Sequence, residues 1–212
     1  MPAPFAIALL VMSATLAAPV PKDKAKELYF PTTVGAKRVM VTNRGDTTRE
    51  TTETVTQVEE KDGVYTVTLE RDSGPGPVAA ASQVFEVSAK GVTRLTSGGV
   101  KIATPQPLFK SGGKVGDTWE SELTIPGSTS IKFKYKLGAE EEVEVPAGKF
   151  KAVRVEAESE QGGTTRQTTA WYAPGVGLIK TEVELGGRKM VQELKSFTPG
   201  KGDKKDVPKK DK

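Results

Sequence analysis

The sequence contains no cysteine and no histidine among its 212 residues. The absence of cysteine excludes disulfides, thiolate metal sites, cysteine nucleophiles and acylation of an N-terminal cysteine. The absence of histidine excludes histidine–cysteine zinc sites, haem ligation by histidine and Ser-His-Asp triads, and it removes the side chain that titrates near neutrality. The sequence therefore predicts no cofactor and no metal site, and it favours a protein that is not an enzyme.

The chain also lacks a basic face, although it has 31 basic and 27 acidic residues and a calculated pI near 9.1. Residues 1–27 carry a net charge of +1 and the tail from Gly200 carries +3, so residues 28–199 are neutral. A neutral domain has little electrostatic attraction for phosphate backbones. We therefore expect no nucleic-acid partner.

Long apolar runs are missing except at residues 5–18, where the run is too short to span a bilayer but has the length of a signal-peptide core. Small residues close the run, which predicts a signal peptide at residues 1–17, cleaved after Ala17, and a linker at 18–27. No lysine or arginine precedes the run, and the alternative is a buried N-terminal helix. We expect an exported protein, periplasmic or extracellular, with no integral membrane segment in the mature chain.

The middle of the chain is rich in period-two alternation of β-branched and aromatic residues, which is typical of strands. The turns between runs carry hairpin signals, such as Asp62-Gly63. We predict a single all-β domain at residues 28–199 with about ten antiparallel strands, curled towards a barrel or, alternatively, packed as a sandwich. The tail at 200–212 holds mainly lysine, aspartate, glycine and proline and is predicted to be disordered. The predicted strands are 38–42, 50–58, 64–69, 83–88, 92–95, 119–125, 130–137, 141–145, 150–158, 164–172, 179–185 and 189–197.

Four motifs carry a resemblance to a known family. They are Val-Glu-Val-Pro-Ala-Gly-Lys-Phe at 143–150, Trp-Tyr-Ala-Pro-Gly-Val-Gly-Leu-Ile-Lys at 171–180, Tyr29-Phe30-Pro31 and Gly116-Asp117-Thr118-Trp119. With these motifs the chain resembles uncharacterised bacterial exported proteins and lipoproteins, including a group with a domain of unknown function and LolA/LolB-like architecture. The resemblance implies an antiparallel half-barrel, whose concave face carries lipid in the best-known members. The chain departs from the lipoproteins in having no cysteine to acylate, and from the LolA carriers in lacking their specific ligand residues.

Large side chains at strand positions are the candidate lining of an apolar pocket. Core packing is their ordinary role, since each buries about 150–250 Å². A half-barrel must also fill its concavity, so a hydrophobic ligand site is the alternative. Trp171 and Tyr172 are adjacent and must face opposite sides of a strand. The candidates are Trp119, Phe133, Phe150, Trp171 and Tyr172.

Carboxylate clusters at 140–142 and at Glu158 and Glu160 are the remaining candidates for chemistry. Two carboxylates at the right separation can hydrolyse glycosidic bonds, but clusters at strand ends are usually solvated. The leading hypothesis is a non-enzymatic envelope binding or interaction module. The alternatives are a periplasmic carrier or sensor of a lipid or other apolar ligand and a carboxylate-based hydrolase. The sequence identifies no protein partner.

Overall fold

The computed structural model describes residues 27–72, 74, 81–124, 130–161 and 163–201. The predicted signal peptide at 1–17 lies outside the described residues. So do the predicted linker except Glu27 and the predicted tail beyond Lys201.

The described residues form twelve β-strands. Their bounds are β1 Lys37–Arg44, β2 Thr47–Lys61, β3 Val64–Asp72, β4 Ala81–Ser88, β5 Gly91–Ser97, β6 Val100–Lys110, β7 Thr118–Leu123, β8 Ile131–Val145, β9 Gly148–Gln161, β10 Thr164–Ala173, β11 Gly177–Leu185 and β12 Arg188–Thr198.

All twelve strands belong to one antiparallel sheet in the order β6-β5-β4-β3-β2-β1-β12-β11-β10-β9-β8-β7. Each strand pairs with the strands before and after it in the sequence, except that β6 and β7 do not pair in the described residues and form the two edges of the sheet. In addition, β1 pairs with β12. The β2–β3 hairpin turns at Asp62 and Gly63, whose φ values of 54° and 76° fit the tight turn that Asp-Gly favours. The predicted fold class, an all-β antiparallel sheet curled into a half-barrel, is confirmed. The strand number is twelve in place of about ten.

Two strands differ from the sequence prediction. The predicted strands include none over β6, which contains Pro105 and Pro107 and forms as an edge strand, where proline is tolerated. The predicted strands at 130–137 and 141–145 are one strand, β8, with a register shift between Leu137 and Glu140. Gly138 lies in that shift, where a Cβ would lie 2.9–3.0 Å from atoms of Arg154. A side chain at this position would therefore collide with β9.

The curl of the sheet brings strands from distant positions into one main core. Phe109 of β6 stacks on Tyr172 of β10, with 5.1 Å between the ring centroids, although seven strands lie between them in the sheet. The buried members of the main core are Tyr29, Phe30, Ala36, Val55, Val67, Leu69, Phe85, Val87, Val92, Phe109, Trp119, Tyr135, Leu137, Val155 and Tyr172.

The segment before β1 supplies part of that core. The Tyr29 ring lies 4.5 Å from the Phe109 ring, and the Phe30 ring lies 4.8 Å from the Phe85 ring. The backbone carbonyl of Leu28 accepts a hydrogen bond from the Gly175 amide at 2.7 Å. The segment thus fills the interior of the curled sheet with its own aromatic side chains.

A small core lies where the tip of the β8–β9 hairpin meets β1 and β12. The Ala147 amide, at the hairpin tip, donates a hydrogen bond of 3.0 Å to the Leu194 carbonyl of β12. The buried members of the small core are Met40, Val143, Val145, Ala152, Ala173, Val176, Ile179 and Leu194.

The chain remains packed at Gly200, the first residue of the predicted tail. A Cβ at Gly200 would lie 2.4 Å from the Val34 carbonyl oxygen and 2.7 Å from the Ala36 amide nitrogen. Gly200 therefore runs directly against the turn that precedes β1.

Candidate functional site

The structure divides the five predicted pocket residues between the two cores. Trp119 and Tyr172 are buried in the main core and Phe133 packs against it, whereas Phe150 and Trp171 pack against the small core. The five side chains therefore do not meet in one pocket. The adjacent residues Trp171 and Tyr172 belong to different cores.

Trp119 lies at the gap between the two edge strands, which we call the open seam. Its ring stacks on Tyr135 with 5.1 Å between centroids and 7° between planes, and its indole nitrogen donates a 3.0 Å hydrogen bond to the Pro107 carbonyl of β6. On the same side, Gln106 Nε2 donates a 2.9 Å hydrogen bond to Tyr135 Oη. These side-chain bonds hold β6 against β7 and β8.

Two open cavities lie beside the open seam, and we call them together the seam cleft. The first has a volume of about 500 Å³ and includes Tyr29, and the second has a volume of about 370 Å³ and includes Trp119. Lys90 and Ser111 line both, so the two are neighbours. The second is also lined by Lys110, Gly112, Gly113, Asp117, Thr118 and Leu137.

The seam cleft combines aromatic side chains with charged groups of both signs. The Lys110 ammonium lies 5.6 Å from the centroid of the Trp119 ring, within the range of a cation–π interaction. The Asp117 carboxylate accepts a 2.8 Å hydrogen bond from the Lys114 amide, which fixes the β6–β7 loop. The cleft is thus lined by the side chains of Trp119 and Tyr29, by two lysines and by two carboxylates, Glu27 and Asp117, of which Asp117 is engaged with the backbone.

Trp171 has a different environment. Its indole nitrogen donates a 2.5 Å hydrogen bond to Glu141 Oε1, and the Lys180 ammonium lies 5.5 Å from its ring centroid. Trp171 does not line the seam cleft. It therefore serves as an internal reference for Trp119.

A buried ionic row crosses β1, β2 and β3. Arg38 Nη2 lies 2.7 Å from Glu53 Oε2, and Arg71 Nη2 lies 2.6 Å from Glu53 Oε1. Arg38 also donates to the Val176 carbonyl at 3.2 Å. Burial alone would raise the pKa of Glu53, but the charges of Arg38 and Arg71 outweigh it and hold the pKa below its ordinary value. Glu53 is therefore an ionised structural group.

The carboxylate clusters proposed for hydrolysis are engaged with separate partners. Glu142 lies 3.5 Å from the Lys149 ammonium, and Glu141 binds Trp171. Glu158 and Glu160 lie opposite Lys134 and Lys132 in the β8–β9 register. No group of three or more acidic side chains suited to a metal ion occurs in the described part of the chain.

Within residues 27–201, less the short gaps given above, no helix is long and apolar enough to cross a membrane.

Comparison with known proteins bears on the family and the fold. Residues 116–191 match the family described as DUF3108-like. The resemblance predicted from the motifs is confirmed. A search of curated proteins found no significant match.

Two solved structures share the fold. One is described as an exported protein with a YmcC-like fold from Bacteroides fragilis NCTC 9343, at 15% identity and a TM-score of 0.61. The other is described as a lipoprotein from Parabacteroides distasonis ATCC 8503, at 16% identity and a TM-score of 0.57. Each comparison covers 81% of this chain and 99% of the other.

Several polar residues are buried in the interior, although the sequence alone does not identify them as buried. Glu53 stands in a run of threonines and glutamates that reads as a solvent-exposed face, and Gln106 stands between two prolines. The one available signal is alternation, because Thr51, Glu53 and Val55 share a face and all three are buried. Their partners follow only from the strand register.

Proposed function

We propose that this protein is an exported, non-enzymatic binding module of the bacterial envelope and that its ligand site is the seam cleft. The observation that carries the proposal is the position of Trp119 and Lys110 beside the gap between β6 and β7. Concave surfaces that combine aromatic groups with a few polar groups are the usual sites for small ligands.

The exported location has two supports. The solved structures that share the fold are described as an exported protein and as a lipoprotein. The leader at residues 1–17 has the length and the small-residue exit of a signal peptide. A periplasmic and an extracellular site both agree with these supports.

The assignment as a non-enzyme rests on the state of the acidic groups. A general acid needs a raised pKa, whereas the pKa of Glu53, the deeply buried glutamate of the ionic row, is lowered by two arginines. Both oxygens of Glu53 are bound to arginine. In the cluster at 140–142, Glu142 lies near the Lys149 ammonium and Glu141 accepts from the Trp171 indole nitrogen, so these two groups favour binding over hydrolysis.

A second candidate is a carrier or sensor of a lipid-like apolar ligand. The open seam favours this candidate, because the edge strands beside the main core are joined there by side-chain hydrogen bonds and not by a backbone ladder. Each CH₂ group moved from water into such a core contributes about 0.8 kcal/mol, so an acyl chain can bind without a specific polar contact.

The two tryptophans make a direct test. Glycerol monolaurate, an uncharged lipid-like probe, is titrated into the Trp171→Phe variant, which reports through Trp119, and into the Trp119→Phe variant, which reports through Trp171. We expect the emission of Trp119 to change with saturation and the emission of Trp171 to stay constant. Native mass spectrometry of protein from its own host then identifies any molecule that co-purifies.

Each outcome bears on a different part of the proposal. A change in Trp171 alone would place the site at the small core and contradict the seam cleft. If neither tryptophan responds and no lipid co-purifies, the carrier candidate is wrong. If, in addition, no other small molecule co-purifies, the seam cleft is not a ligand site.

A further inference from the structure

The interior contains an arginine without a carboxylate partner. Arg94 of β5 lies between Phe85 of β4 and Gln106 of β6 in the strand register, so all three side chains lie on the face that carries the main core. The side chain is partly exposed, but its Nε is buried and has no hydrogen-bond partner. No ion pair of Arg94 occurs among the described residues.

The groups around Arg94 do not neutralise it. Burial lowers the pKa of Arg94, and the nearby charge of Arg71 also acts to lower it. Burial raises the pKa values of the neighbouring Tyr135 and Tyr172, so both phenols stay neutral. The nearest buried carboxylate, Glu53, already binds two other arginines through both oxygens. Glu53 is the one buried carboxylate among the described residues, and Arg94 has no share in it.

A further polar group beside Arg94 is also incompletely bonded. Gln106 is 1% exposed, and its Nε2 donates to Tyr135, while its Oε1 has no partner in the part of the chain that the structure describes. Buried polar groups are ordinarily satisfied, and a buried charge is ordinarily paired. An uncompensated guanidinium next to an unsatisfied amide is therefore an arrangement that a bound ligand would complete.

We propose that Arg94 is the centre of an oxyanion site inside the curled sheet, with Gln106 beside it on β6. A guanidinium presents parallel N–H donors that match the oxygens of a carboxylate or phosphate group. The side chain of Arg94 is partly exposed, which leaves the site accessible from solvent. A protonated oxygen of the ligand can donate to Gln106 Oε1. Neither residue lines the seam cleft, so the inference goes beyond the proposed function and does not depend on it.

The source of the oxyanion is either a free small anion or the headgroup of an amphipathic molecule. Inorganic phosphate and decyl phosphate separate the two, because they share the headgroup and differ in the alkyl chain. Binding is measured by isothermal titration calorimetry and thermal unfolding in a buffer of low chloride content. The full mature chain is used as wild type, Arg94→Met, Arg94→Lys and the control Arg188→Met, which removes an exposed arginine at the β11–β12 turn.

We expect at least one of the two phosphates to bind wild type and the control and to raise the melting temperature of both. In Arg94→Met the dissociation constant should rise at least tenfold and the thermal shift should vanish. In Arg94→Lys, which keeps the charge but loses the parallel donors, binding should also weaken at least tenfold. Without anion, Arg94→Met should melt at a higher temperature than wild type, because a partly buried charge without a carboxylate partner has been removed.

Decyl phosphate binding alone would identify an amphipathic ligand, and equal binding of both would identify a free anion, with either result supporting the site. Two results overturn the proposal. One is that neither phosphate stabilises the wild type. The other is that Arg94→Lys, and Arg94→Met where it folds, bind with wild-type affinity.

Discussion

The curled sheet has two joints that are held together in different ways. At the first, which we call the closed seam, β1 and β12 pair along the whole of β1, from Lys37 opposite Thr198 to Arg44 opposite Met190. At the open seam β6 and β7 share no ladder in the described chain, and side chains of Trp119 and Gln106 make the hydrogen bonds instead. Backbone hydrogen bonds hold the closed seam together, whereas side-chain hydrogen bonds hold the open seam together.

The difference has a cause in the sequence. Pro105 and Pro107 remove two backbone donors from the middle of β6, and prolines on an edge strand discourage the extension of a ladder. The Pro107 carbonyl remains available and accepts the Trp119 indole N–H. β7 has only six residues, whereas β12 has eleven. The prolines therefore keep the barrel from closing through its backbone.

The comparison suggests where the protein opens. Parting β1 from β12 would break a ladder next to the buried row of Arg38, Glu53 and Arg71. Parting β6 from β7 and β8 would break two side-chain hydrogen bonds and the cation–π contact of Lys110 with Trp119. Local openings of low free energy are where ligands usually enter a folded protein. The open seam is thus both the weaker joint and the proposed site.

The largest effect is expected at the closed-seam side, from Glu53→Gln. The substitution leaves Arg38 buried without a counter-ion, and removing one partner of a buried pair costs about 3–5 kcal/mol. Urea unfolding at pH 7 measures the loss. The control is Glu70→Gln on β3, which removes an exposed carboxylate and should change the free energy of unfolding by less than about 0.5 kcal/mol.

Glu53 also makes the free energy of unfolding depend on pH. Because the pKa of Glu53 is lowered in the folded state, its stabilisation is present above the ordinary value of 4.5 and is lost as pH falls through the folded-state pKa. The difference in stability between wild type and Glu53→Gln should therefore shrink in acid. A difference that stays constant from pH 7 to pH 3 would contradict the assignment of Glu53 as an ionised group.

A smaller effect is expected from Tyr135→Phe at the open seam. The substitution leaves both ends of the Gln106 amide buried without a partner, which costs about 1–3 kcal/mol. Hydrogen exchange should accelerate in β6 and β7 while β1 and β12 keep their protection. Tyr65→Phe, at a half-buried tyrosine of β3, is the control. The double variant Tyr135→Phe/Gln106→Met should recover much of the loss, and a failure to recover would contradict the hydrogen-bond explanation.

How far the sequence predicts the molecule depends on whether a feature is local. The β2–β3 and β8–β9 hairpins follow from Asp62-Gly63 and Pro146-Ala147-Gly148, because turn residues act within four positions. Arg38 and Glu53 meet only through the β1–β2 register, which alternation does not specify when threonines and glutamates occupy both faces. Trp119 is recognisable as a large buried side chain, but its hydrogen bond to Pro107 depends on the curl of the whole sheet.

The smallest effect should come from Lys110→Gln, which removes the cation from the Trp119 ring without removing the indole hydrogen bond. A cation–π contact at an exposed site contributes about 0.5–1 kcal/mol, so the global free energy of unfolding should change little. Exchange of the β6 and β7 amides should nevertheless accelerate, by about two- to fivefold, because 1.4 kcal/mol corresponds to a factor of about ten. Lys180→Gln is the matched variant at Trp171, and its effect should be confined to β10, β11 and β12, since Lys180 also pairs with Glu182 and Glu193. If Lys110→Gln accelerates exchange in β1 and β12 as strongly as in β6 and β7, the two seams open together and are not independent joints.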